Sequence, residues 1–321
     1  MSFEPGTELG KANLDVFAET LLELAQDNPD VLAVTSDSRG SGKLVPYAAA
    51  VPDQLVEIGI AEQNLVGVAA GLASTGKIVF AVSPASFLTA RALEQIKNDV
   101  CYSDQPVKLV GISAGVSYGA LGSTHHSIHD LAALRAIHNC TIIVPADNFE
   151  TAEAVKAAAR MFHPVFLRFG KRPMTHLHRP GTAFQVGKSL LVREGSDVAF
   201  IATGETVIHA LLAATDLERE GISARVVSMH TIRPLDTDAI LAAADECRAI
   251  VTVEEHSCAG GLGEACAAVL MQANRHVRFR IVGFPDEDTV TGSQLEIFTH
   301  YGISAQGLAG TARKLLASTD Q

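Results

Sequence analysis

The chain has 321 residues, 47% hydrophobic and 19% charged, which is enough apolar material for two medium domains and excludes a mainly disordered state. Lys and Arg total 25 against 36 Asp and Glu, a formal net charge of −11, so a nucleic-acid backbone is repelled and no basic cluster offsets that. No apolar run approaches the ~20 residues of a membrane span, so neither nucleic acid nor membrane is an expected partner.

In chain order, MSFEPGTELGK carries acids and no basic-then-apolar leader. The pattern then predicts a helix over 12–28, stopped by Asn28 and Pro29, and a strand over 31–36. A helix over 61–75 closed by Gly76, a strand over 77–83, a helix over 86–103 and a strand over 107–113 follow. Next come a helix over 127–138, a strand over 141–146, a helix over 148–162 and a strand over 164–169. Each strand is a continuous apolar run, the signature of a sheet covered on both faces. The stretch 171–188, KRPMTHLHRPGTAFQVGK, has the Pro, Gly and polar residues of a linker. A second alternating series has strands over 198–204, 224–229, 249–255 and 277–284, with helices over 205–220, 236–247 and 261–273 between them. The expectation is two doubly wound α/β domains, 1–175 and 191–321, joined by a linker over 176–190. Cys101, Cys140, Cys247, Cys258 and Cys266 form no CxxC pair and read as reduced thiols of a cytoplasmic protein.

The segment VEIGIAEQNLVGVAAGLASTG (56–76) is the most informative. Its helix is apolar or small on nearly every face, which predicts burial on all sides, and Gly67 and Gly71 would let another element come close. One carboxylate, Glu62, stands in its first turn. It either complements the helix dipole or is a buried acid that needs a hydrogen-bonding partner. His125 and His129 stand four apart beside His126 and Asp130, a spacing that could hold a metal on a helix. Nothing marks a third ligand, and no metal site is expected. Gly260, Gly261 and Gly263 could form an anion nest before a helix, although the last glycine of GxGxxG is missing. Gly115, Gly119 and Gly122 make a permissive loop ahead of His125.

The run IGIAEQNLVGVAAGLA resembles the signature of the pyrimidine-binding domain of the thiamine-diphosphate enzymes of the transketolase family. SPASFLTARALEQIKNDV (83–100) and VTSDSRGSGK (34–43) resemble that domain as well, and TIRPLD (231–236) with VEEHSCAGGLGEA (253–265) resemble the transketolase C-terminal domain. The resemblance implies a pyrimidine-binding domain followed by a C-terminal domain. It implies that Glu62 hydrogen-bonds the aminopyrimidine and activates the cofactor, with Phe87 packing on that ring and Asp37 and Ile60 beside it. By the same resemblance His125 reaches cofactor and substrate, while Arg168 and Lys171 fall where a basic residue meets the distal anion of a sugar phosphate. A structural core position is the alternative for Phe87, and a solvated linker edge for Arg168 and Lys171.

The family's GDG motif, which with a following Asn holds Mg2+ and the diphosphate, does not occur in this sequence. The chain thus resembles the C-terminal half of a split transketolase. That implies an N-terminal partner subunit carrying GDG, an α2β2 assembly, sugar substrates and transfer of a two-carbon ketol unit. Three positions depart from the pattern. Leu121, Ser113 and Asp15 stand where a substrate-contacting acid, a histidine and a phosphate-clamping arginine fall in the family. The β subunit of a 2-oxo-acid dehydrogenase, a deoxyxylulose-phosphate-synthase-like enzyme and a non-catalytic regulatory subunit stay open as alternatives.

Overall fold

A computed structural model describes residues 4–179 and 181–318. The continuous apolar runs fold as buried strands: Val31–Thr35, Lys108–Ile112, Val165–Phe169 and Val198–Ala202 are buried at every residue. They belong to two sheets with helices on both faces. The first sheet has seven strands in the spatial order Thr231–Arg233, Thr141–Ile143, Val165–Phe169, Lys108–Ile112, Ile78–Pro84, Val31–Thr35 and Leu55–Glu57. All pairs in it are parallel except the first, where Thr231–Arg233 runs antiparallel at the edge. The second sheet has the order Arg278–Phe284, Ala249–Ser257, Val198–Ala202, Ala224–Ser228 and Leu190–Arg193, with the last strand antiparallel. A small ribbon pairs Leu9–Ala12 with Pro173–Thr175.

The two sheets are not tethered beads. Thr231–Arg233 leaves the second series to extend the first sheet, and one apolar cluster runs from Leu65, Val66 and Ala69 to Ile201, Ile250 and Leu262. The expected linker is stitched down as well. Leu177 and His178 donate their backbone N–H groups to Asp147 Oδ2 at 2.8 and 3.2 Å, and Leu177 is buried.

Several expected elements are revised. The helix read over 61–75 forms as Glu62–Ser74, but Gln63, Asn64, Gly71 and Ser74 are exposed, so it is not buried on all sides within this chain. No backbone approaches Gly67 or Gly71 either: the nearest atom to a Cβ built at Gly67 is Asp99 Oδ2 at 3.9 Å, and Gly71 faces open space. The helix read over 86–103 divides into Ala85–Arg91, Leu93–Gln95 and a π-helical turn Ile96–Tyr102. The helix read over 127–138 shrinks to Asp130–Arg135, which leaves His125 and His129 in the preceding loop. The helical four-residue argument for a metal at those two histidines therefore has no helix to rest on.

Candidate active site

Parallel strands deliver their following loops to one edge, and the first sheet reverses its direction of growth between Val31–Thr35 and Ile78–Pro84. Ligands bind in the crevice outside such a reversal. Asp37 follows Val31–Thr35, Glu62 follows Leu55–Glu57, Phe87 follows Ile78–Pro84, His125 follows Lys108–Ile112, and Lys171 follows Val165–Phe169. Residues far apart in sequence thereby share one rim.

Glu62 opens its helix with 4% of its surface exposed, and its Oε1 accepts a 3.0 Å hydrogen bond from Arg91 Nη1. Arg91 closes the helix Ala85–Arg91, one turn after Phe87, and its guanidinium carbon lies 4.3 Å from the centroid of the Phe87 ring. The His125 ring meets Phe87 edge-on at 5.3 Å and meets Tyr118 edge-on at 5.3 Å. Lys171 Nζ stands 4.7 Å from the Tyr118 ring centre. One continuous line thus runs Glu62, Arg91, Phe87, His125, Tyr118, Lys171. His125 Nδ1 pairs with Thr124 Oγ1 at 3.0 Å, which leaves Nε2 without a hydrogen bond in this chain. A cavity of about 390 Å³ opens between Phe87, Arg91, Thr124 and Thr289. Beneath this edge, the buried hydroxyls of Ser86, Ser113, Ser117 and Ser127 have no hydrogen-bond partner, which marks a polar floor able to meet a ligand or water.

Asp37 and Ile60 lie on two neighbouring loops sewn together by Glu57. Its Oε1 accepts from the N–H groups of Asp37 at 2.7 Å and of Gly59 at 3.1 Å. Ile60 is 75% exposed. Arg168 departs from expectation. It is 6% exposed, with Nε 2.8 Å from Asp130 Oδ2 and Nη2 donating to the carbonyls of Ser127 and Glu255 at 3.0 Å. A guanidinium committed in this way cannot open onto a substrate anion, so the basic clamp expected at Arg168 is replaced by a strut between the two sheets. Lys171 is the exposed cation at that end of the rim.

The loop carrying His125 is built rigidly. Gly115 and Ser127 exchange backbone hydrogen bonds of 3.1 and 2.7 Å across its mouth. Gly115 has φ +61°, and a Cβ there would run into the Glu255 carboxyl. Glu255 Oε1 accepts from Val116 N–H at 2.8 Å and from Gln294 Nε2 at 2.8 Å. His126 is buried and bridges Gly119 O at 3.0 Å to Thr289 Oγ1 at 3.1 Å, a structural role. Burial, reinforced by the nearby Glu205 carboxyl, pushes Glu255 up to about 8. Burial also pushes His256 down to about 4, and its neutral ring accepts from Ala132 N–H at 3.3 Å to seat the helix Asp130–Arg135.

The glycine nest before Leu262–Gln272 is already filled. Glu254 accepts from Leu262 N–H at 2.7 Å and from Gly263 N–H at 2.8 Å, so an internal carboxylate caps that helix and no external anion is needed. A larger cavity, about 700 Å³, lies at the opposite edge of the second sheet among Ala244, Arg248, Leu270 and Met271, and it holds none of the expected site residues. Among the described residues no group of three His, Cys, Asp or Glu side chains could hold a metal ion. Sequence reasoning missed Arg91, Tyr118, Glu255 and Thr289. Only Arg91 had a local signal, a cation one helical turn after an aromatic ring.

Comparison with known proteins gives the same architecture. Residues 10–175 match the pyrimidine-binding domain of transketolase, and residues 187–308 match the transketolase C-terminal domain. One of the two subunits of the apulose-4-phosphate transketolase of Phocaeicola vulgatus is 46% identical over 297 residues, covering 92% of this chain and 95% of that one. A 1-deoxy-D-xylulose-5-phosphate synthase of Thermomicrobium roseum is 37% identical over 307 residues, and there the match spans 95% of this chain and 48% of the synthase. A solved split-gene transketolase, described as an inactive β4 tetramer, superposes with a TM-score of 0.86 at 37% identity, over 96% of this chain and 98% of that one. On these grounds the chain belongs to the transketolase family, with the pyrimidine-binding and C-terminal domains in that order.

Proposed function

We propose that this chain is the C-terminal subunit of a split, thiamine-diphosphate-dependent transketolase that moves a two-carbon ketol unit from a phosphorylated ketose to an aldose. The observation that carries the reading is the convergence of the nearly buried Glu62 carboxylate, the half-buried Phe87 ring and the unpaired His125 Nε2 at the reversal of the first sheet. Residues 1–175 form the half-site in this reading, and 191–321 support it.

The residues present fit the pyrimidine end of the cofactor. Glu62 offers one carboxylate at the rim, Phe87 offers a flat apolar face, and Ser86 Oγ adds a buried hydroxyl with no partner in the chain. When bound, thiamine diphosphate supplies a nucleophilic carbon and an electron sink. Glu62 holds the proton shared with the ring nitrogen, and the low exposure of its carboxylate keeps water from competing for that proton. Phe87 orients the ring, with Ile60 and Asp37 on the loops beside it. His125 Nε2 receives or delivers the proton of a substrate hydroxyl, with Nδ1 fixed on Thr124. Lys171 meets the distal anion of the substrate. Its replacement by Ala raises the KM for a phosphorylated donor several-fold and spares kcat.

The diphosphate and Mg2+ fall to a separate N-terminal subunit that carries GDG, in an α2β2 assembly in the cytoplasm. The comparison proteins described as subunits of split transketolases support that division. The likeness to deoxyxylulose-phosphate synthases supports a second reading, in which a 2-oxo acid is decarboxylated. The chain isolated from its native cells with whatever co-purifies separates the two. Exchange of a two-carbon unit between ketose phosphate and aldose, with no CO2 released, bears out the proposal. Release of CO2 from pyruvate without ketol exchange overturns it.

A further inference from the structure

Arg91 makes two contacts, and both fall on groups that the proposed function reserves for the cofactor. Its Nη1 holds Glu62 Oε1 at 3.0 Å, and its planar guanidinium lies 4.3 Å from the Phe87 ring centre. Guanidinium and aminopyrimidine share the relevant chemistry, since both are flat, stack on an aromatic face and present N–H donors in their plane. We propose that Arg91 is a gate: in the free chain it occupies the contacts of the pyrimidine half-site, and an incoming aminopyrimidine must displace it. This inference rests on the proposed cofactor site and concerns its regulation.

Two features make such a gate workable. The Arg91 side chain is 51% exposed, whereas that of Glu62 is 5% exposed, so it is the arginine that is free to move. Arg91 is also the last residue of its helix, with Phe87 one turn earlier, so rotation about side-chain bonds alone carries the guanidinium off the ring towards solvent. The closed gate keeps the nearly buried carboxylate paired until the cofactor arrives, and it lowers the fraction of molecules ready to bind. A half-exposed ion pair and a partly exposed cation–π contact together make that reduction on the order of tenfold.

The test is calorimetric and stopped-flow titration of thiamine diphosphate with Mg2+ into the complex of this chain with its co-purifying partner. Wild type, R91A, R91Q, R91K and E62Q are compared, each with its unfolding midpoint recorded as a check on folding. The gate requires R91A and R91Q to bind about tenfold more tightly through a faster association rate, with dissociation unchanged and R91K in between. Equal or weaker binding by both R91A and R91Q while E62Q is weakened overturns the gate and leaves the cofactor site standing. Binding unaffected by E62Q overturns the site and the gate together.

Discussion

Replacing Arg168 by Ala separates the role seen in the structure from the role its place in LRFGKRP suggests. The side chain is 6% exposed and Asp130 is wholly buried, with Nε to Oδ2 at 2.8 Å. Burial alone would push the Asp130 carboxyl up, but the charges of Arg168 and then His256 outweigh it and hold the group below the usual carboxylate range. Without Arg168, Asp130 keeps one hydrogen bond, from Leu131 N–H at 2.9 Å, and the carbonyls of Ser127 and Glu255 each lose a donor. Breaking a buried ion pair from one side costs about 3–5 kcal/mol, a large part of a typical folding free energy. The chain has no tryptophan, so the assay is equilibrium urea unfolding followed by far-UV circular dichroism. R168A should lower the midpoint sharply. D130N, which removes the stranded charge, should restore about 1–3 kcal/mol when combined with R168A. A midpoint within error of wild type, together with a raised KM for a phosphorylated donor, would refute the strut and return Arg168 to the substrate.

Glu255 gives a pH signature. Its carboxyl is pushed up to about 8 in the folded chain from an ordinary 4.5, so the folded state holds an extra proton between those values. Stability must then fall as pH rises through that window, at no more than about 1.4 kcal/mol per pH unit for one proton. Urea midpoints between pH 5.5 and 8.5 should flatten in E255Q, and an unchanged slope would show that the carboxyl is not the linked group. Gly115→Ala places a methyl against the same carboxyl at a positive φ, so it should lower the melting temperature and cut activity by misplacing His125. Adding Glu255→Ala should recover part of the melting temperature, and no recovery would mean that the clash is not the cause.

The interior of the fold was legible because its strands are uninterrupted apolar runs. The edges were not. Leu55–Glu57 and Leu190–Arg193 are short and half-exposed, and Thr231–Arg233 finds its place only through pairing with a distant strand. The helix Gln294–His300 carries a readable sign, Ser293 and Glu296 in a capping box, that periodicity alone passes over. In the site, Glu62 was legible as an acid in an apolar helix, and Phe87 and His125 through their surrounding motifs. The commitment of Arg168 to Asp130 spans 38 residues and leaves no local trace, which is why a buried strut read as an open cation. The glycine nest misled for the same reason, since the anion that fills it, Glu254, comes from the preceding strand.

The central claim is that Glu62 on this chain activates a cofactor completed by another subunit. The most direct measurement is the rate of two-carbon transfer from a ketose phosphate to an aldose by the complex of this chain with its co-purifying partner, wild type against Glu62→Ala, at saturating thiamine diphosphate and Mg2+. The account predicts a loss of at least about a hundredfold with the complex still assembled. Full activity in Glu62→Ala would contradict it.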